Sequence, residues 1–181
     1  MAASFGRGAM TNHWIDIQHA DVIMIIGSNA AENHPISFKW VQRARDKGGK
    51  LISVDPRFTR TSSLADLYAP IRPGTDIVFI NGIINYALQN DLIQKEYVVK
   101  YTNAAYLIVP GFGFNDGIFS GYNAAERKYD KKTWKYQLDA DGIPLKDESL
   151  QNPQCVYQLL KKHMSRYTPE KVSAATGCPV D

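Results

Sequence analysis

Three short polar segments hold the residues of this sequence that could bind a ligand. The first, Gly27–Pro35, follows the apolar run Val22–Ile26 and precedes a segment with helical spacing. Its candidate ligand contacts are Gly27, Ser28, Asn29 and Glu32. Gly27 allows a tight turn, and the N-terminus of a following helix would offer free N–H groups to a phosphate. The three-glycine dinucleotide fingerprint is absent, so a structural strand-to-helix turn is the alternative interpretation.

The second segment, Asp55–Thr59, follows the apolar run Leu51–Val54. Its candidate contacts are Asp55, Pro56 and Arg57. An acidic residue at this point can accept a hydrogen bond from a ribose hydroxyl, and an arginine can pair with a phosphate or a carboxylate. The alternative is a helix cap with a surface salt bridge.

The third segment is Gly74-Thr75-Asp76, and all three residues are candidates. The Asp76 carboxylate could accept two hydrogen bonds from the adjacent N–H donors of a guanine edge. Taken alone, Thr75 or Asp76 is better explained as the cap of the helix that follows. Three polar loops at the same edge of a sheet indicate a nucleotide site more specifically than any one of them.

The surrounding pattern predicts an α/β fold, with a Rossmann-like parallel sheet flanked by helices. Val22–Ile26 is an unbroken apolar run, as expected of a strand buried on both faces. Pro35 opens a helix whose predicted apolar stripe is Ile36, Trp40, Val41 and Ala44. Leu51–Val54 completes a right-handed βαβ unit, and Leu67–Ile71 is a third strand.

The rest of the chain divides further. Ile77, Ile80, Ile84 and Leu88 give the apolar stripe of a helix after Asp76, and another helix is predicted near Gln94–Tyr101. Pro110–Pro153 is rich in Gly, Tyr, Asp and Lys without periodicity. The predicted organisation is an entry loop at 1–20, an α/β dinucleotide-binding part at 21–109, an irregular inserted surface excursion at 110–153 and a helical continuation at 154–181.

Within the excursion, Trp134–Leu138 alternates and predicts a strand beside the Asp139–Gly142 turn. Helical spacing returns at Cys155–His163. Thr168 and Pro169 then begin a last short helix.

Composition excludes several classes of function. The 181 residues carry a formal net charge of +3 with scattered Lys and Arg, which does not favour nucleic-acid binding. No apolar run reaches the ~20 residues of a membrane span, and Met1–Met10 is not a signal peptide. Cys155 and Cys178 form no metal-binding pattern, so free thiols and a single disulfide both remain open. We assign no metal ligand and no catalytic residue, including the four histidines, which are His13, His19, His34 and His163.

Longer segments resemble a known family. They include Phe5–Ile17, Gly27–Pro35, Asp55–Thr61, Ala69–Asp76, Gly117–Tyr122 and Ser165–Glu170. Over essentially the whole chain the sequence resembles the large, catalytic subunit of exported respiratory formate dehydrogenases, which are molybdopterin guanine dinucleotide oxidoreductases. Tyr129–Trp134 is similar to the inserted segment of that branch.

The resemblance implies an internal piece of a larger multidomain enzyme that oxidises formate to carbon dioxide by two-electron transfer. It implies molybdopterin guanine dinucleotide carrying molybdenum or tungsten. The selenocysteine or cysteine ligand and a 4Fe-4S cluster are expected upstream of Met1, and a catalytic arginine after Asp181. The implied partners are the rest of the large subunit and an iron–sulfur electron-transfer subunit, in the periplasm. The isolated chain is expected to be inactive. The alternative is a stand-alone nucleotide-binding or interaction module without redox activity.

Overall fold

Two compact units make up the computed structural model, which describes residues 12–115 and 117–180. One unit contains residues 12–79 with 172–180, and the other contains the described residues of 80–171. The predicted domain boundaries at 20, 109 and 153 stay predictions. Within the predicted entry loop, the described residues include a 3-10 helix at Trp14–His19.

The first unit contains a three-stranded parallel sheet. Its strands are β1 (Val22–Ile26), β2 (Lys50–Val54) and β3 (Leu67–Ala69), in the order β1-β2-β3. Both pairs are parallel, with Val22 opposite Lys50 and Ile26 opposite Val54. This arrangement confirms the predicted α/β class with a parallel sheet. Short apolar runs separated by helical segments fold this way because parallel neighbours need a crossover, usually a helix.

Helices connect and flank these strands. They are α1 (Ala30–Asn33), α2 (Pro35–Asp46), α3 (Arg60–Leu64) and the first turn of α4 (Asp76–Gln89). Pro35 is the first residue of α2, as predicted, because its fixed φ suits a first turn and its missing N–H would have no partner there. Thr59 begins α3 through a reciprocal capping box with Ser62.

One face of the sheet packs against α2. Phe38, Val41 and Leu51 form the buried centre, with Ile23 and Ile25 packed around them. The predicted stripe of α2 is right for Val41 and Ala44 but wrong for Ile36, which is 74% exposed. Phe38 takes its place. Two residues along a helix correspond to about 200°, so Phe38 and Ile36 cannot share a face.

The other face is covered only in part. Val54, Ala69 and Ile71 pack with Phe79 and Cys178. On β1 the side chains of this face are Val22, Met24 and Ile26, and they are 58%, 41% and 37% exposed. The prediction that β1 is buried on both faces is therefore wrong for the part of the chain that the structure describes.

The second unit has its own core. Leu88, Ala105, Leu150, Cys155 and Tyr157 form its buried centre. Partly buried residues of α4, of α5 (Lys95–Tyr101) and of α6 (Val156–Met164) pack around them. α7 (Pro169–Thr176) also begins in this unit. Ile84 and Leu88 of the predicted α4 stripe pack there, whereas Ile77 and Ile80 are exposed. Both cysteines are free thiols. No helix among the described residues is long and apolar enough to cross a membrane.

The irregular segment 110–153 contains two small antiparallel hairpins. These pair β4 (Phe114–Asn115) with β5 (Ile118–Phe119), and β6 (Tyr122–Asn123) with β7 (Lys128–Tyr129). The predicted strand at 134–138 is wrong. Tyr136 and Leu138 make isolated antiparallel bridges there, to Ile108 and Pro144, and Pro144 has no N–H with which to extend the pairing.

Candidate functional site

Polar loops follow the three parallel strands at one edge of the sheet. Because the strands run in the same direction, their carboxyl ends share that edge, which is where open α/β sheets bind ligands. The backbone ladder continues into the first two loops. The Gly27 amide donates to the Val54 carbonyl at 2.9 Å, and the Asp55 amide donates to the Ala69 carbonyl at 3.3 Å. The positions of these loops are therefore set by the sheet.

Gly27 has the left-handed backbone conformation that suits a tight turn. Its φ is +62°, and a Cβ built there would have no heavy atom within 4 Å. Conformation, rather than lack of space, therefore favours glycine here, because side chains with a Cβ are strained at positive φ. The next residue, Ser28, is half-buried. The space around the Gly27 Cα is therefore open.

Asn29 uses its side chain to join the first loop to the second. Its Oδ1 accepts hydrogen bonds from the backbone amide and the hydroxyl of Thr61, both at 3.2 Å. The Thr61 hydroxyl oxygen in turn accepts from the Ala31 amide at 3.0 Å. The Asn29 amide nitrogen donates to the Glu32 carboxylate. Asn29 and Glu32, both predicted ligand contacts, are thus brought together and hold the loop in shape.

Sequence reasoning missed Thr61. It is fully buried, and its hydroxyl connects residues about thirty positions away. The available signal was weak, because a single threonine in the first turn of a helix is usually a local feature. A polar side chain with no solvent exposure must find partners, and those partners tie α1 to α3.

Asp55 organises the second loop. One carboxylate oxygen accepts from the Arg57 amide at 2.8 Å, which forms a tight local turn, and the Asp55 carbonyl accepts from the Tyr68 hydroxyl at 2.9 Å. Burial, and then the nearby negative charge of Asp55, raise the pKa of Tyr68. That hydroxyl is therefore a neutral donor at physiological pH. Pro56 and Arg57 are exposed at the rim.

The third loop presents Asp76 at the start of α4. Gly74 adopts φ +81°, and the Thr75 hydroxyl donates to the Arg72 carbonyl at 2.6 Å. The Asp76 carboxylate is half-buried in the first turn and makes no hydrogen bond to any described residue. α4 begins at Asp76, so the residue at its cap position is Thr75. A half-buried carboxylate with open acceptor positions suits a ligand that presents N–H donors.

Arg72 is a second residue that sequence reasoning left without a role. Its guanidinium donates to the carbonyls of Ala174 and Ala175 at 2.7 and 3.0 Å, and its amide donates to Thr176 at 2.7 Å. A cation at the last carbonyls of α7 complements the helix dipole. The third loop is thereby fixed from a distant part of the sequence.

An open cleft of about 500 Å³ lies at the N-terminus of α2. Its walls are mostly aromatic or apolar, and Trp14 stacks on His34 with ring centroids 5.6 Å apart. His34 Nδ1 lies 2.6 Å from the Asn33 side-chain oxygen, a local hydrogen bond within the loop. No group of three or more His, Cys, Asp or Glu side chains in the described ranges could hold a metal ion.

The sequence of the chain is similar to that of several known proteins. The sequence pattern of the family described as Molybdopterin oxidoreductase matches residues 3–151. The formate dehydrogenase subunit alpha of Megalodesulfovibrio gigas is 57% identical over 99% of this chain. The nitrate-inducible formate dehydrogenase major subunit of Escherichia coli K12 is 54% identical over 99% of it. The chain spans only 18% of the length of each of these relatives.

Solved structures show the same fold. The acetylene hydratase of Pelobacter acetylenicus superposes with a TM-score of 0.55 and 21% sequence identity, over 92% of this chain and 17% of that enzyme. At this identity the likeness is one of fold alone. The family match covers the three loops of the candidate site, because all of them lie between residues 3 and 151.

Proposed function

The chain belongs to the molybdopterin oxidoreductase family, and from that premise we propose that it forms the dinucleotide-binding part of the large subunit of a formate dehydrogenase. The observation that carries the proposal is the identity of 57% and 54% to two formate dehydrogenase large subunits along nearly the whole chain. The activity proposed for the complete enzyme is oxidation of formate to carbon dioxide. No finding supports the alternative of a stand-alone module without redox activity.

The three loops fit a molybdopterin guanine dinucleotide. The left-handed turn at Gly27 leaves open space above it and leads into the helix α1, which suits a pyrophosphate because helix N-termini carry unpaired N–H groups. In the proposal, the second loop, at Asp55, contacts a ribose hydroxyl. The Asp76 carboxylate is the proposed acceptor for the guanine edge. In this assignment the chain binds and orients the cofactor, and Asn29 and Thr61 keep the first two loops at a fixed separation.

The bound cofactor would supply the metal, molybdenum or tungsten, that exchanges electrons with formate. We propose that the other elements of the reaction lie outside these residues. They are a selenocysteine or cysteine metal ligand, a 4Fe-4S cluster and an iron–sulfur electron-transfer subunit. A periplasmic location is part of the same proposal, on the resemblance to exported enzymes, and cell fractionation of the source organism tests it.

Substitution of Asp76 tests the cofactor assignment. In the intact large subunit, Asp76→Asn replaces one of two acceptor oxygens by an NH₂ donor, which would face the N–H donors of guanine. A hydrogen bond to a charged group is typically worth about 1.5–3 kcal/mol, which corresponds to a loss of affinity of roughly 10- to 100-fold. The enzyme is first dialysed and then denatured with acid. The measurement is the amount of guanine nucleotide that the acid releases per subunit.

The matched control is Asp46→Asn, because Asp46 is an exposed aspartate at the end of α2 and away from the loops. The control is expected to retain guanine nucleotide at the level of the unsubstituted enzyme. If the Asp76→Asn variant retained as much guanine nucleotide as the control, Asp76 would not bind guanine.

A further inference from the structure

A series of aromatic rings in the excursion at 110–153 remains partly open to solvent. Each ring contacts the next, with centroids 4.7–5.3 Å apart, in the order Phe114, Phe119, Trp134, Tyr129 and Tyr122. Phe119 and Tyr122 are each 40% exposed. We call this surface the ring patch. Exposed aromatic side chains that lie together are typical of the centre of a protein interface.

Two cations lie on the ring patch. The Arg166 guanidinium is 5.1 Å from the centroid of the Phe114 ring, and the Lys131 ammonium is 5.5 Å from that of the Trp134 ring. Neither cation forms a salt bridge with a carboxylate in the described part of the chain. Contact with a ring face compensates a cation only in part, because the attraction is weak at exposed sites. The patch therefore combines an apolar surface with positive charge that an anionic group can pair with.

The hairpin β6–β7 and the residues after it add more positive charge. Residues 126–135 include five basic and two acidic side chains, all exposed, whereas the chain of 181 residues has 21 Lys and Arg. Asp130 pairs with Lys132 at 3.2 Å. The other four basic side chains of 126–135 form no salt bridge with a described residue. A surface of one sign steers oppositely charged molecules toward it.

We propose that the ring patch docks an acidic protein, namely one whose surface carries apolar side chains flanked by Asp or Glu. The apolar side chains of the partner pack on Phe119 and Tyr122, and its carboxylates pair with Lys131, Arg166 and the cations of 126–135. Complementary charge mainly raises the rate of association and selects the partner. The contact is therefore reversible and sensitive to salt. This inference goes beyond the function proposed above and does not depend on it.

Two other occupants fit the ring patch less well. A second copy of the chain, related by a twofold axis, would place two positive surfaces against each other, which is unfavourable. An anionic membrane would favour an aromatic ring that is free to sit among the lipid headgroups. Trp134 is instead half-buried, and its Nε1–H donates to the Ser120 carbonyl at 2.9 Å. An acidic protein needs only the surface that the patch already presents.

Peptide binding to the purified intact large subunit tests the proposal. The probe is a fluorescein-labelled peptide of about 15 residues made of Glu and Leu, and fluorescence anisotropy measures its Kd. Binding is expected at low salt, and the Kd should rise roughly tenfold or more between about 50 mM and 500 mM NaCl, because salt screens exposed charges. A peptide of Glu and Ser with the same charge should bind roughly tenfold more weakly, because it has no apolar side chains for the rings. Equal affinity of the two peptides, or no binding of either, would overturn the proposal.

A pair of charge-reversal variants locates the binding surface. Lys131→Glu is expected to weaken binding of the Glu/Leu peptide roughly 3- to 10-fold, because it replaces an attraction by a repulsion. Lys95→Glu makes the same change of charge at an exposed lysine of α5, outside the ring patch. It should leave the Kd within about twofold of the unsubstituted value. If both variants weakened binding equally, net charge and not the ring patch would bind the peptide.

Vesicle binding and the oligomeric state test the other occupants. The expected results are a subunit that does not sediment with phosphatidylcholine vesicles containing about 30% phosphatidylglycerol, and a sedimentation coefficient that Lys131→Glu leaves unchanged. Vesicle binding that Lys131→Glu abolishes would assign the patch to a membrane. A dimer that Lys131→Glu dissociates would assign it to a second copy. Either result would overturn the proposal.

Discussion

The loops at the carboxyl edge of the sheet and the excursion at 110–153 hold their shapes by different means. The first two loops continue hydrogen-bonded strands and are joined by polar side chains, chiefly Asn29 and Thr61. The excursion has only two-residue strands, and it relies on packed rings such as Phe119, Tyr129 and Trp134, with centroids 5.2–5.3 Å apart. The site loops thus take their position from the sheet. The hairpins of the excursion are held mainly by ring packing, and its later part pairs with 106–108 through isolated bridges.

The difference predicts where each region is most easily broken. A segment built on short hairpins and packed rings should fail at a point of close backbone contact, because no continuous ladder holds the remainder. Loops fixed by polar links should fail at a buried hydrogen-bonding group. Three substitutions test this comparison, taken from the largest expected effect to the smallest.

Gly121→Ala is expected to disrupt the excursion. Gly121 has φ +85°, and a Cβ there would lie 2.0 Å from the Asp130 carbonyl oxygen. Strain at positive φ costs about 1–3 kcal/mol, and overpacking adds about 1–3 kcal/mol, so unfolding should become easier by about 2–6 kcal/mol in total. The measurement is chemical denaturation followed by the near-UV signal of the tryptophans.

Gly117→Ala provides the matched control. Gly117 has the same φ of +85°, but a Cβ there meets no heavy atom within 4 Å. It should therefore show only the conformational cost of about 1–3 kcal/mol. If both variants lost the same stability, close contact at Gly121 would not be what holds the excursion together.

Thr61→Val is expected to loosen the site loops. Valine keeps the volume but removes the hydroxyl, which leaves the Ala31 amide without its partner and removes one donor from Asn29. An unsatisfied buried polar group costs about 1–3 kcal/mol. Thermal melting measures the loss, and hydrogen exchange at 27–33 locates it. Thr61→Ser retains the hydroxyl and should recover most of the stability; a serine variant as weak as the valine variant would contradict the polar link.

The smallest effect concerns acid stability of the second unit. Hydrogen bonds from the Ser149 hydroxyl and then from the Asn152 amide lower the pKa of Asp147 to about 2. A carboxyl whose pKa falls on folding stabilises the protein above its ordinary pKa, near 3.8, and this contribution is lost as the pH falls from there toward about 2. Asp147→Asn should flatten the dependence of stability on pH in that window, as measured by denaturation at pH 2, 3, 4 and 6. An unchanged dependence of stability on pH would show that Asp147 does not contribute to acid stability.

The two regions also differ in how much the sequence predicted. Apolar runs and turn residues located the three parallel strands and the loops that follow them, because periodicity and turn chemistry are local properties. The sequence did not determine which face of α2 is buried, because Ile36 and Phe38 are both large apolar residues on different faces of the helix. The roles of Thr61 and Arg72 depend on partners that are about 30 and 102 positions away. The hairpins of the excursion were missed because contacts between aromatic rings hold them, and these rings do not recur at a regular spacing in the sequence.

Arg72 has a consequence for how the site forms during synthesis. Its bonds to Ala174 and Ala175 span more than 100 residues, and they hold the turn that presents Asp76. At 5–20 residues per second, a ribosome needs roughly 5–20 s to make the intervening chain. The sheet with its first two loops can form in that interval, while the third loop still lacks its anchor. Assembly of the third loop is therefore a late event, coupled to the arrival of α7.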